Sequence, residues 1–236
     1  MNPKQDWVER AKKRAALEAM KYIEDGFTIG LGSGSTAAYA IEELGNRIRK
    51  EKLRVLGVPT SYQAFMLAVK QGVPTTTLEE HPSLDVAIDG ADQIDSQLNL
   101  IKGMGGALAR EKIVASASKK FIIIADETKK VKRLGENDQP IPIEALQFAA
   151  AFVISKIRQL GGRAILREGK GKVGPIVTDN GNIIIDAHFG IIQNPDELER
   201  KLKAFPGVVE TGLFINMADV VYLGTRFNVE KLERRH

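Results

Sequence analysis

The amino-acid sequence predicts a mostly parallel α/β sheet in a doubly wound layer, accompanied by a smaller α+β domain. Short apolar runs alternate with amphipathic helical patterns through the first half of the chain, the signature of a parallel sheet with helices on its faces. Turns rich in glycine, serine and aspartate follow those runs, where ligands bind in open α/β sheets. At GENDQPIP, residues 135–142, the composition shifts and the pattern becomes helix, hairpin, helix.

Residues Asp6 to Asp25 carry Val8, Ala11, Ala15, Ala16, Met20 and Ile23 near helical spacing, with Gly26 as the stop. Phe27 to Leu31 reads as a strand, Ser33 to Thr36 as a turn and Ala37 to Ile48 as a helix. Leu53 to Val58 is the next strand, after which Thr60 or Ser61 caps the helix YQAFMLAVKQ, closed by Gly72. A short strand is expected near Thr75 to Leu78 and another over Leu84 to Ile88, which puts Asp89 at a carboxyl end. From about Gly106 the pattern is helical, with Ala107, Leu108, Ile113, Val114 and Ala117 available for one face; Phe121 to Ala125 is the following strand.

Beyond the shift, the expectation is a long helix over Glu144 to Leu160, a strand around Arg163 to Glu168, and a solvated charged loop, REGKGKVG. Pro175 to Thr178 and Asn182 to Ala187 flank Asp179-Asn180-Gly181 as a hairpin, and Asn194 with Pro195 starts a helix running to about Ala204. VVETGLFIN and DVVYLGT are strand-like and return the chain to the first domain, so residues 137–207 form the smaller domain between 1–136 and 208–236. The tail EKLERRH reads as a solvated end.

Composition narrows the chemistry. With 236 residues, 43% of them apolar and 27% charged, the chain has the make-up of a globular protein. No apolar run approaches the roughly 18 residues of a membrane helix, and MNPKQDWVERAKKR lacks a signal-peptide core, so a cytoplasmic protein with no membrane partner is expected. The absence of cysteine excludes disulfides, thiol catalysis and thiolate metal sites. His81, His188 and His236 are widely spaced, which argues against a histidine-rich metal site. A net charge of +4 without a basic, aromatic-interleaved stripe favours a small anionic ligand over nucleic acid.

Two stretches concentrate functional groups. In GLGSGSTA, Ser33, Gly34, Ser35 and Thr36 lie between strand and helix, an arrangement whose free N–H groups and hydroxyls cradle an anion. Gly34 is followed by Ser35 and not by lysine, which counts against a nucleotide P-loop; the next strand ends in Pro59, Thr60 and Ser61 with no acidic residue, which counts against a dinucleotide site. A small phosphorylated molecule remains, and Lys12 or Lys13 could reach it. The second stretch, DGADQIDSQLNLIKGMGGALAREK over 89–112, follows a buried strand. Gly90 lets Asp89 and Asp92 face one crevice. Gly103, Gly105 and Gly106 after Lys102 allow close backbone approach and offer N–H groups to an oxyanion. Glu111 falls in the early turns of the next helix, and Lys129 lies beyond a strand's carboxyl end.

GLGSGSTA, DGADQID, KGMGGALAREK and ADETKK, in that order, with GVVETGLF and ADVVYLGT near the C-terminus, resemble ribose-5-phosphate isomerase of the A type over nearly the whole chain. The resemblance implies interconversion of D-ribose 5-phosphate and D-ribulose 5-phosphate in the non-oxidative pentose phosphate pathway, without metal or organic cofactor. It also implies a Rossmann-like domain with a small inserted α+β domain, and a homodimer or dimer of dimers. By motif, Glu111 resembles the catalytic base and Ser33, Gly34, Ser35 and Thr36 the substrate loop. Asp89, Gly90, Ala91 and Asp92 match the acidic loop, Lys102, Gly103, Met104 and Gly105 the lysine-glycine loop, and Lys129 a distal lysine. Ser33 stands where threonine is common, and Met104 interrupts the glycine run.

The residue types suit that chemistry: one carboxylate can move a proton between adjacent carbons, a fixed cation and aimed N–H groups can hold an enediolate, and Asp89 can take part in opening the sugar ring. Asp92 is expected to bind a hydroxyl or position Lys102. A sugar-phosphate-sensing regulator would require a DNA-binding unit, and only one helix precedes the first strand. A deaminase or lactonase would call on histidines that this chain hardly offers, and a metal-dependent isomerase on a richer ligand set.

Overall fold

The computed structural model describes residues 3–169, 171 and 173–234. In chain order they form α1 (Pro3–Met20), β1 (Thr28–Leu31), α2 (Gly34–Glu51), β2 (Leu56–Pro59), α3 (Tyr62–Gln71), β3 (Val86–Asp89), β4 (Gln93–Ile94) and β5 (Leu100–Ile101). Next come α4 (Leu108–Ser116), β6 (Phe121–Asp126), β7 (Ile141–Ala145), α5 (Ala150–Gln159), β8 (Arg163–Leu166), β9 (Ile183–His188) and α6 (Pro195–Lys203). The last strands are β10 (Val208–Thr211), β11 (Leu213–Phe214), β12 (Val220–Gly224) and β13 (Val229–Glu233). The chain divides into two compact units, one of Met1–Ala91, Arg110–Lys130 and Met217–His236, the other of Asp92–Ala109 and Val131–Asn216.

The first unit is built on a six-stranded sheet in the order β13-β12-β6-β3-β1-β2. Five strands are parallel and β13 runs antiparallel to β12. All six residues of β6 are buried, as expected of a strand covered on both faces. Because β1 lies between β2 and β3, the winding reverses at β1 and β3, and the loops after those two strands flank the switch-point crevice. Helix α1 packs through Ala11, Ala15, Ala16 and Ala19, and its backbone comes so near β12 that a Cβ on Gly224 would lie 2.1 Å from the Ala11 carbonyl oxygen. Small residues on both sides permit this approach.

The second unit holds a four-stranded antiparallel sheet, β10-β7-β9-β8, and a three-stranded one, β11-β5-β4. Its core gathers Ile141, Ile143, Val153, Ile157, Ile183 and Ile185 with Leu202 and Leu213.

Several elements differ from expectation. The helix expected over Glu144 to Leu160 starts only at Ala150; the preceding residues form β7 and a single 3₁₀ turn, Gln147–Ala149. Glu144 is fully buried in β7, its Oε1 accepting from Thr178 Oγ1 (2.9 Å), Asn180 Nδ2 (3.0 Å) and Asn182 Nδ2 (2.8 Å). Pairing with β9 and β10 on both sides outweighs the local helical pattern. Thr75 makes only an isolated bridge to Gly57, and Val177 only one to Ile183, although Thr178 N donates to Asn182 O (2.8 Å) across the expected turn. VVETGLFIN stays in the second unit, where β10 pairs with β7 and β11 with β5, so that unit runs to Asn216 and not 207; it also takes in residues 92–109 through β4 and β5. The tail is not simply solvated: Val229–Glu233 is an edge strand, and its charge is what an edge uses against further pairing. His236 lies outside the described residues.

Removing residues 227–236 would leave β12 as the open edge of the sheet. The expected outcome is a fall in Tm of about 5 °C or more and higher-order species by light scattering; unchanged melting and mass would show that β13 does not protect the edge.

Candidate active site

The first unit brings one group of expected site residues together at the switch point. Gly32 N donates to Ile88 O (2.9 Å), laying the chain after β1 against the end of β3. A Cβ at position 32 would lie 2.2 Å from Asp89 Oδ1 and 2.6 Å from Asp89 Cα, so glycine makes room for both the carboxylate and the backbone that carries it. Asp89 is buried, and its Oδ1 accepts from Ser33 N (3.1 Å) and Gly90 N (2.7 Å). Ser33 occupies the N-cap position of α2 without capping it. Its hydroxyl lies 2.8 Å from Thr60 Oγ1 and donates to Ser61 Oγ (2.6 Å). The turn after β1 is thereby tied to the turn after β2.

Helix α2 begins at Gly34, whose φ of +91° favours glycine, so Ser35 and Thr36 stand in the first helical turn, where backbone N–H groups lack helical partners. Gly34 N donates to Gln63 Oε1 (3.0 Å), an interaction that the sequence signals only by the position of Gln63 two residues beyond the α3 cap, Ser61. Lys12, and not Lys13, reaches this turn: its Nζ is 3.3 Å from Ser35 Oγ and 2.8 Å from Glu9 Oε1. The hydrogen bond from Lys12 holds the Glu9 carboxyl below the usual carboxylate range, with the Tyr39 hydroxyl donating to its other oxygen. Gly90 closes the group, the position of its absent Cβ lying 3.9 Å from Thr36 Cβ.

Glu111 belongs to the same unit and is 5% exposed on α4. The carboxyl end of that helix meets the amino end of β3, where Leu84 N donates to Ala117 O (2.9 Å). One face of α4 lies on β1: Val114 Cγ1 would be 2.4 Å from a Cβ on Gly30. Glu111 is three residues nearer the helix start than Val114, about 4.5 Å along the axis, and is therefore displaced toward the carboxyl edge of the sheet. The expected apolar face needs correction, because Ile113 is 54% exposed while Glu111 and Lys112 are buried beside Leu108, Val114 and Ala115. Lys129 ends a 3₁₀ turn directly after β6; buried Asp126 caps that turn by accepting from Thr128 N (3.0 Å).

The second unit holds the other group. Asp92 N donates to Ile101 O (2.8 Å), and Asp92 Oδ2 accepts from Met104 N (3.1 Å). Lys102 is 3% exposed; its N donates to Gly212 O (2.9 Å), and its Nζ lies 5.3 Å from the centroid of the buried Phe214 ring, a cation–π contact. Gly103 and Gly106 take φ of +93° and +80°, and Gly106 N donates to Gly103 O (2.9 Å), closing a tight turn. A Cβ on Gly103 would strike Leu108 at 2.7 Å, whereas one on Gly105 would meet nothing within 4 Å. Arg167 grips this turn from outside, Nη1 donating to Gly103 O (3.1 Å) and Met104 O (2.8 Å). The loop REGKGKVG is thus not wholly solvated; its Lys170 and Lys172 lie outside the described residues.

Among the described residues no group of three His, Asp or Glu side chains is placed to hold a metal ion, and no helix is long and apolar enough to cross a membrane. His81 Nδ1 lies 2.9 Å from Thr76 Oγ1, and His188 Nδ1 3.0 Å from Asp138 O, so both imidazoles have structural partners.

Residues 56–227 match the family model described as ribose 5-phosphate isomerase A (phosphoriboisomerase A). The chain is 48% identical over 224 residues to ribose-5-phosphate isomerase A of Methanosarcina acetivorans, covering 95% of this chain and 94% of that protein. It is 51% identical over 214 residues to the protein of that name from Methanothermobacter thermautotrophicus, covering 91% and 93%. Among solved structures, ribose 5-phosphate isomerase A from Methanocaldococcus jannaschii superposes with a TM-score of 0.92 at 47% identity, covering 95% of this chain and 99% of that one. A D-ribose-5-phosphate isomerase in complex with phospho-erythronic acid gives 0.93 at 47% identity, covering 96% and 99%.

The contact of Gly32 with Asp89 can be tested by a double-mutant cycle. Gly32→Ala is expected to lose about 1–3 kcal/mol in urea denaturation through overpacking. Adding Asp89→Ala removes the colliding carboxylate, so the double variant should lose at least 0.5 kcal/mol less, on the order of known couplings between touching residues, than the two single losses together. Strict additivity would show that the Asp89 backbone, whose Cα would lie 2.6 Å from that Cβ, and not the carboxylate, sets the cost.

Proposed function

We infer the activity of this chain from two premises: it belongs to the ribose-5-phosphate isomerase A family, and its charged groups suit proton transfer beside a carbonyl. It interconverts D-ribose 5-phosphate and D-ribulose 5-phosphate. The observation that carries the reading within the structure is Glu111, a buried carboxylate on the first turns of α4, displaced toward the edge of the sheet where ligands bind. The sensor, deaminase and lactonase readings are not favoured by relatives that are named isomerases over almost their whole length.

The reaction needs few parts. The Glu111 carboxylate takes the proton from C2 of the open-chain aldose; the C–H electrons form the C1–C2 double bond, and the charge moves to O1. Passage of the O2–H proton to O1 leaves the charge on O2; Glu111 then returns its proton to C1 as O2 becomes the carbonyl oxygen, which completes the ketose. Lys102 and the backbone N–H groups of Gly103 and Gly105 are assigned to the enediolate charge, since a fixed cation and fixed N–H groups need no reorganisation as that charge develops. Asp89 is assigned to ring opening and Asp92 to positioning the lysine-glycine turn, a role supported by its bond from Met104 N. Ser33, Gly34, Ser35 and Thr36 bind the phosphate with help from Lys12, whose ammonium sits beside Ser35; Gly90 and Ala91 shape the acidic loop, and Lys129 binds the substrate. Phosphate binding far from the reacting carbons orients them.

The working form is proposed to be a homodimer or dimer of dimers. Tyr62, Phe65, Met66 and Val69 recur at helical spacing on α3 and are 63%, 37%, 51% and 56% exposed, an apolar row that a second copy would cover. A cytoplasmic location fits a doubly charged substrate that cannot cross a bilayer unaided.

Glu111→Gln should lower kcat by about 10²–10⁴-fold with KM for ribose 5-phosphate within about threefold of wild type, while wild-type turnover persists in excess chelator. Full activity in the variant would remove Glu111 as the base. Met66→Glu should shift the mass found by light scattering toward a smaller species; an unchanged mass would exclude the α3 row from the interface.

A further inference from the structure

We propose that Arg167 and Asp186 form a positioning pair that aims the Gly105 N–H at the enediolate oxygen, an inference that rests on the isomerase reading above. Arg167 is the first residue beyond β8, anchored there by Arg167 N donating to Ile184 O (2.9 Å). Asp186 stands on the neighbouring β9, in register with Ile165. Nε of Arg167 donates to Asp186 Oδ2 (2.8 Å), and Nη2 donates to Oδ1, a bidentate fork with side chains only 12% and 15% exposed. The remaining nitrogen, Nη1, donates to the carbonyl oxygens of Gly103 (3.1 Å) and Met104 (2.8 Å).

Peptide geometry turns this grip into a direction. In a trans peptide the carbonyl and the following N–H point opposite ways. With Gly103 O drawn to Arg167, Met104 N–H is sent to the other side, where it donates to Asp92 Oδ2 (3.1 Å). With Met104 O also drawn to Arg167, Gly105 N–H points away from the guanidinium as well. Gly106 N is occupied by Gly103 O (2.9 Å). From Met104 to Gly106, Gly105 is thus the donor that the turn presents, on a residue whose Cβ position is open.

An ion pair largely removed from water, as this one is, is a poor device for stability, because desolvation offsets its attraction. It is a good one for holding a rigid fork in a single plane. Lysine at 167 would keep the charge but could not serve the carboxylate and two carbonyls with fixed geometry. Removing one well-aimed oxyanion donor commonly lowers kcat by about 10²–10³-fold, which bounds what misaiming Gly105 can cost.

The test compares wild type with Arg167→Lys and Asp186→Asn in kcat and KM for ribose 5-phosphate and in Kd for phospho-erythronic acid, whose carboxylate imitates the enediolate. The expected result is a kcat lower by about 10–100-fold per folded molecule, KM within about threefold, and phospho-erythronic acid binding weakened in parallel with kcat/KM. In wild type, the Gly105 amide proton should move downfield in NMR when phospho-erythronic acid is added. Wild-type kcat in folded Arg167→Lys would overturn the pairing, as would losses that only track the folded fraction. An unresponsive Gly105 amide in wild type would overturn it even if neither variant folds. Wild type that does not isomerise ribose 5-phosphate would bring down the functional reading and this inference with it, whereas an active wild type with unaffected variants brings down the inference alone.

Discussion

The first unit depends on one steric constraint: a carboxylate is buried at the end of β3 in space that position 32 leaves empty. Asp89 is 2% exposed, and its oxygen accepts backbone N–H groups from Ser33 and Gly90. Those bonds offset the cost of taking a carboxylate from water. They also set the path of the chain into α2, so that Ser35 and Thr36 begin a helix at the crevice edge with Lys12 beside them. The hydroxyls of Thr60 and Ser61 then hold Ser33 from the next strand. The turn between β1 and α2 thus owes its shape to three strand ends at once.

The second unit solves a related problem by different means. A glycine-rich turn is permissive, and permissive backbone does not by itself aim anything. Here it is restrained on both sides, by Asp92 accepting from Met104 N and by Arg167 donating to the Gly103 and Met104 carbonyls. Lys102, directly before the turn, is held by its own backbone bond to Gly212 and by the Phe214 ring. Most of these groups are buried, where a fixed dipole or charge acts more strongly than in water.

Much of this was legible in the chain. Parallel strands, the capped helices α3 and α6, the loops after β1 and β3, and the candidate residues Ser33, Asp89, Lys102 and Glu111 all carry local signals, either apolar runs or turn and cap residues. What misled was pattern without context. Residues 144–149 have helical composition, yet Glu144 is buried under three side-chain donors in a central strand. Ile113 fits an apolar helical face, yet polar Glu111 and Lys112 take the buried positions. The tail looks solvated because an edge strand shows one face to water.

By itself the sequence determined the fold class, the family and the kind of chemistry, because these rest on residue type, spacing and short-range periodicity. Only the tertiary structure decided that Lys12 and not Lys13 reaches Ser35, that Gly32 leaves room for Asp89, that Gln63 meets Gly34, and that Arg167 holds a turn more than sixty residues away. Each of these is a contact between residues distant in the chain. Such contacts depend on which strand ends and helix faces the packing brings together, and no local pattern records that.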